Sequence, residues 1–253
     1  MKTIHLFKML SLISILMLSA CSSSKSRQLE NGVSVTENPD YLTAINIVTP
    51  KEGEQQKIVD LLDKGMKKYM SKVPGFINAT VHQSQDNDYV AVYAQWKDQE
   101  ALDAAVAHIQ AGNAPPMMQV FTEASPDFHP YQVIASIPAA GSNNEVNIRE
   151  NVSYLTAINI VTPKNGEQDK IVGLLREGML NSMRNVAGFR NATIHKSLDN
   201  EYVAVYAQWD SQDALNKAVE FIQAGNAPAM LDVFTDAQAD FHPYEIISVT
   251  KAQ

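Results

Sequence analysis

Cysteine is nearly absent. The 253-residue chain holds one, so no disulfide can form within it and no cysteine-rich zinc site can assemble. Basic residues are in the minority, 20 Lys plus Arg against 28 Asp plus Glu. The resulting formal charge of −8 and pI near 5.2 leave no broad basic face to displace counterions from phosphate, so no nucleic-acid partner is expected. No apolar run reaches the roughly 18 residues that a membrane-spanning helix needs. Also missing are GxGxxG, P-loop, GxSxG, HExxH and HxH patterns, so nucleotide or flavin binding, serine hydrolysis and a metal centre have no sequence basis. What is present is 45% hydrophobic content in a length that suits one or two globular domains.

The N-terminus reads as a targeting segment. Lys2 and Lys8 precede the mostly apolar run Met9–Leu18, and small residues Ser19 and Ala20 follow, which is the order of a secretory signal. The lone cysteine, Cys21, ends the stretch LSAC, which resembles the lipobox of bacterial lipoproteins. That resemblance implies a signal peptide over 1–20 and lipidation of Cys21 by more than one acyl chain; at about 0.8 kcal/mol per buried methylene, such an anchor is stable. Ser22, rather than Asp, resembles the outer-membrane sorting pattern. The expected location is the bacterial cell envelope, lipid-anchored in the outer membrane and facing the periplasm. Residues 21–38 read as a polar tether with a reach of about 20–25 Å.

The remainder is a duplication. Tyr41–Lys51 (YLTAINIVTPK) recurs as Tyr154–Lys164, and the same offset aligns roughly 63 identities in the 94 positions from Tyr41 to Ile134. Two domains follow, 39–137 and 152–253, joined by a linker over 138–151 rich in turn residues.

Within each copy the periodicity changes in a fixed order. Tyr41 to Thr49 reads as a strand, and Ile58, Leu61, Leu62, Met66 and Tyr69 fall at helical spacing until Val73-Pro74-Gly75. Phe76 to Ser84 and Tyr89 to Trp96 form a hairpin about Asp86-Asn87-Asp88. Ala101, Leu102, Ala105, Val106 and Ile109 make a second amphipathic helix, followed by a helical turn near Met117 to Phe121 and a last strand from Tyr131 to Ser136. The order βαββαβ is the ferredoxin-like arrangement, an α+β fold. An open sheet with helices on one face leaves the other bare, so the two repeats are expected to cover each other as an intramolecular pseudo-dimer, sheets face to face around a cavity or cavities. Further pairing into a homo-oligomer is left open.

Val73-Pro-Gly-Phe76, Ala79-Thr80, His82 and Tyr93-Ala-Gln-Trp96, with Val186 to Phe189, Ala192-Thr193, His195 and Tyr206 to Trp209 in the second copy, resemble the antibiotic biosynthesis monooxygenase domain. Ala187 stands where the first copy has Pro74. The resemblance implies a dimeric α+β barrel. It also implies a family that includes cofactor-independent oxygenases of polyketide anthrones, quinol oxidases and haem-degrading enzymes. The haem-degrading members carry Trp and His where this chain has Ala105 and Pro115, which argues against that activity.

A cofactor-free oxygenase needs an apolar pocket and a polar group that orients a phenolic or enolic substrate. Alternation places Val90, Val92, Ala94 and Trp96 on one face and Tyr89, Ala91, Tyr93 and Gln95 on the other. The resemblance implies that Trp96 and Trp209 face the cavity, with Val92, Val205, Ala94 and Ala207 beside them. It also places an asparagine at the Val92 and Val205 positions, and this chain lacks it. Asn46 and Asn159 are candidate replacements, as polar residues in apolar strands. His82 and His195 are candidate proton acceptors, although the alternation of Asn78, Thr80 and His82 equally fits a solvated outer face. Methionines such as Met117, Met118 and Met230 suit a core or pocket rim. Two readings result: a membrane-anchored monooxygenase of quinol, naphthol or anthrone-like compounds with no cofactor, or a non-catalytic envelope lipoprotein binding a small apolar molecule or a partner protein. The valines at 92 and 205 favour the second, and the family resemblance makes the first the expectation.

Overall fold

The structure, a computed structural model, describes residues 32–37, 40–142 and 146–253. Cys21, the signal segment and most of the tether lie outside the described residues. Among the described residues no helix is long and apolar enough to cross a membrane.

The first repeat runs β2 (Leu42–Pro50), α1 (Gln55–Lys68), β3 (Phe76–Ser84), β4 (Val90–Trp96), α2 (Gln99–Gln110), α3 (Pro115–Glu123) and β5 (Ala124–Pro138). It is preceded by a short strand, β1 (Gly32–Val35). The second repeats the order as β6 (Val146–Arg149), β7 (Leu155–Pro163), α4 (Gln168–Asn181), β8 (Phe189–Ser197), β9 (Val203–Trp209), α5 (Gln212–Phe221), α6 (Pro228–Asp236) and β10 (Ala237–Lys251). Asn87 and Asn200 take left-handed φ values of 69° and 65° at the hairpin turns, a conformation asparagine tolerates well. Asp98 and Ser211 cap α2 and α5 by accepting from the backbone N–H groups of Ala101 and Ala214.

Eight strands close one antiparallel barrel in the order β10-β3-β4-β2-β5-β8-β9-β7, so the chain is an α+β pseudo-dimeric barrel within itself. The last strand of each repeat is longer than the sequence pattern implies and joins the halves. The first half of β5 pairs with β2 of its own repeat, and from Tyr131 onward β5 pairs with β8 of the other. β10 does the same, moving from β7 to β3 at Tyr244. Because each half of β5 has only one ladder partner, Pro126 and Pro130 cost no inter-strand bond on the unpaired edge.

Three buried clusters result. One lies between the helices and sheet of each repeat, and one fills the barrel interior. The short strands β1 and β6 pair with each other, and their Val33, Val35, Val146 and Ile148 join the interior cluster. Glu37 and Glu150, at equivalent positions, accept from the backbone N–H groups of Ser136 and Val249 and fasten this ribbon to both crossing strands.

Candidate functional site

The cavity is not where the sheets face each other. It lies on the opposite face of the first repeat's sheet, beneath α1, α2 and α3, with a volume of about 440 Å³. This corrects the expectation of a space enclosed between the two sheets: the interior is occupied by tyrosines, histidines and aliphatic side chains.

Strand register sets the cavity floor. Val92, Asn46 and Phe128 lie side by side across β4, β2 and β5, the next row holds Ala94 and Ala44, and Trp96 stands opposite Leu42. Directly paired residues share a face, so Asn46 presents its amide beside the Val92 position. Trp96 is buried and packs edge-on against Phe76 with ring centroids 5.1 Å apart. The roof is Met66 of α1 and Met70 just beyond its end, Leu102, Ala105, Ile109 and Gln110 of α2, and Met117, Met118 and Phe121 of α3. α3 can approach α1 because residue 65 is glycine: a β-carbon there would collide with the Met117 side chain.

None of the lining residues is ionisable. The Oδ1 of Asn46 is buried without a hydrogen-bond partner, and so is that of Asn159 in the second repeat. An unpaired buried amide costs about 1–3 kcal/mol, which a ligand hydroxyl can recover. The second repeat keeps the same floor, with Asn159 between Val205 and Phe241, Ala157 beside Ala207 and Trp209 opposite Leu155. Trp209 stacks on Phe189 as Trp96 does on Phe76. Of the lining positions only Met118 changes between copies, to Leu231.

His82 and His195 are elsewhere. They point into the barrel, fully buried, so the reading of a solvated outer face is corrected along with their grouping with Trp96 and Asn46. His82 Nε2 meets the Tyr206 hydroxyl at 3.1 Å and His195 Nε2 meets that of Tyr93 at 2.9 Å, each bond crossing between repeats. The Tyr93 and Tyr206 rings touch at 5.3 Å. His195 Nδ1 lies 3.3 Å from the Ala204 carbonyl, so it carries the proton and the Tyr93 hydroxyl donates to Nε2. Burial pushes both histidines down to about 4 and both tyrosines far above their ordinary value, so all four are neutral at pH 7. His129 and His242, on the crossing strands, each bridge two aspartates: Asp127 and Asp199 for His129, Asp240 and Asp86 for His242. Each bridge links the two repeats.

Sequence reasoning missed Phe121, Phe128, Met66, Met70 and Gln110 as cavity residues. Phe121 and Phe128 remain largely exposed at its edge, 54% and 40%. The available signal was an aromatic in a segment otherwise polar or proline-rich, as in Ser125-Pro-Asp-Phe128.

Comparison with known proteins agrees with this architecture. The sequence pattern of the antibiotic biosynthesis monooxygenase family matches residues 42–116 and again 155–220. Tetracenomycin-F1 monooxygenase of Streptomyces glaucescens is 29% identical over 85 residues, covering 34% of this chain and 70% of that protein. The crystal structure of an anthrone oxidase-like protein superposes with a TM-score of 0.74 at 19% identity, over 87% of this chain and 96% of that one. A monooxygenase candidate of Lactobacillus acidophilus superposes with a TM-score of 0.52 at 12% identity, over 84% and 97%. With the family's pattern present in both halves, the chain belongs to the antibiotic biosynthesis monooxygenase family as a tandem pair.

Proposed function

We propose that the chain is a cofactor-independent monooxygenase of small hydroxylated aromatic compounds, of quinol, naphthol or anthrone type. The observation that carries this reading is the unpaired Asn46 carbonyl in an apolar cavity beside Trp96. The family asparagine is absent at Val92, and the cross-strand neighbour of that position supplies an amide instead. Its Oδ1 accepts the hydrogen bond of the substrate hydroxyl, and the Trp96 indole bounds the flat ring.

For an anthrone-like substrate the balance closes without an added reductant. The enolate passes one electron to dioxygen, the radical pair combines as a C–O bond, and the hydroperoxide loses water to leave a carbonyl. One oxygen atom enters the product and the other leaves as water. With no ionisable side chain in the cavity, the substrate's own acidity controls formation of the enolate. The rate is therefore expected to rise with pH along the titration of the substrate hydroxyl. We further propose anchoring through Cys21 at the periplasmic face of the outer membrane, on the strength of the LSAC stretch; acylation detected by mass spectrometry and lost in Cys21→Ser tests it.

Oxygen uptake by the full chain on dihydroxynaphthalenes and anthrones, without flavin, nicotinamide or metal, tests the activity. Uptake abolished in Asn46→Ala, Asn159→Ala supports the assignment. Uptake no faster than without protein across the panel favours the second reading, a ligand-binding lipoprotein, for which Val92 and Val205 are the supporting observation.

A further inference from the structure

Two repeats this similar control for each other, and one of the surfaces where they differ is the end of the first helix. Lys68, Lys72 and His108 of the first repeat correspond to Asn181, Asn185 and Phe221 of the second. In the first repeat a pocket of about 340 Å³ lies there, between the ends of α1 and α2, bordered by Lys68, Tyr69, Lys72, His108 and Asn113. We propose that this pocket is a binding site for a phosphate group, separate from the apolar cavity and present in one repeat only.

Both lysines are exposed, and neither is ion-paired among the described residues, as is also true of Lys51 and Lys64. The chain is acidic overall, so two unneutralised ammonium groups bordering one pocket, Lys68 at the end of the helix and Lys72 in the short turn after it, are a local departure from its charge. A structural alternative is that they offset the exposed carbonyls at the C-terminal end of α1. The second repeat keeps one basic residue, Arg184, in the short turn after α4 and none in α4's last turn, where the first repeat has Lys67 and Lys68 and then Lys72. One cation at the helix end therefore suffices for the second repeat, and the pair at Lys68 and Lys72 exceeds it. Asn113 and Tyr69 also line the pocket, and two ammonium point charges suit a compact tetrahedral anion.

A phosphate group reaches such a site either as a soluble anion or as part of a phospholipid headgroup. The test uses the full chain carrying Cys21→Ser, so that no acyl anchor contributes, beside the same chain with Lys68→Asn and Lys72→Asn. These are the residues of the second repeat, which keeps its fold with them; circular dichroism checks that the variant does too. Calorimetric titration with inorganic phosphate is one arm. Co-sedimentation with phosphatidylcholine vesicles, with and without phosphatidylglycerol, is the other. Phosphate binding that weakens about 10- to 30-fold in the variant assigns a soluble ligand, and phosphatidylglycerol-dependent sedimentation that weakens as much assigns a headgroup. No binding in either arm, or binding that the variant leaves unchanged, overturns the site.

Discussion

β4 carries two different environments on its two faces. Inward, Tyr93 donates to His195 across the repeat boundary, with Tyr206 against its ring. Outward, Val92, Ala94 and Trp96 line a space in which the nearest amide, Asn46, has an unpaired carbonyl. Both faces bury unpaired polar atoms, Thr43 Oγ1, Thr80 Oγ1 and His82 Nδ1 inward and Asn46 Oδ1 outward, and what separates them is that only Asn46 borders a cavity. The two Tyr–His bonds cross the repeat boundary and hold the repeats together. The Asn46 carbonyl is completed only by something that enters from outside. An unpaired polar atom therefore points to chemistry in this fold only where, as at Asn46, a cavity gives a ligand access to it.

The largest expected effect is on the inward face. His82 and His195 are held near 4 when folded and titrate near 6.5 when unfolded. Below pH 6.5 the unfolded chain therefore binds more protons than the folded one, and stability falls as pH drops from 6.5 towards 4, levelling below that. Each histidine contributes about 3 kcal/mol to the loss. Urea unfolding at a series of pH values should show this slope, and a flat profile over that range would mean the histidines are not buried neutral partners.

How much of this was legible in the sequence depends on pairing distance. The hairpin of β3 and β4 was readable because its two strands are adjacent and its turn is marked by Asp86-Asn87-Asp88. The alternation along β4 was readable too, but which face turned inward was not. VAVYAQW is buried on both sides and has no solvent-facing half to break the tie. For the same reason Asn78, Thr80 and His82 looked like a wet face. Their partners Gln95, Tyr93 and Tyr206 lie on other strands, and Tyr206 belongs to the other repeat. The first half of β5 was missed because Pro126, Asp127 and Pro130 read as loop, and only its one-sided pairing explains how they fit a strand.

Next in size is the outward face. Asn46→Val with Asn159→Val should lower turnover on a responsive substrate by about a hundredfold, through loss of substrate orientation. Stability should hold or rise by about 1 kcal/mol, because an unsatisfied amide is removed. Equal losses of stability and activity would make the asparagines structural and erase the contrast between the faces.

The inward counterpart is smaller and has the opposite pattern. Tyr93→Phe strands His195 Nε2 without its donor, at a cost of about 1–3 kcal/mol in chemical unfolding. In the folded variant kcat and KM should be unchanged, because no interior atom borders the cavity. A changed kcat in fully folded protein would show that the two faces are coupled.

The smallest effect separates the repeats rather than the faces. The cavity floors match residue for residue, and Met118 against Leu231 is the single difference in the lining. Leu and Met exchange at nearly constant volume, so this difference should move affinity little. Asn46→Ala alone and Asn159→Ala alone are then each expected to remove about half of the turnover, with the double variant removing nearly all of it. Single-turnover kinetics with substrate limiting would check that the surviving half runs at the wild-type rate. If Asn46→Ala by itself abolished turnover, only the first repeat would be working. The remaining differences between the copies, among them the lysines at 68 and 72, would then be differences between a working repeat and a supporting one.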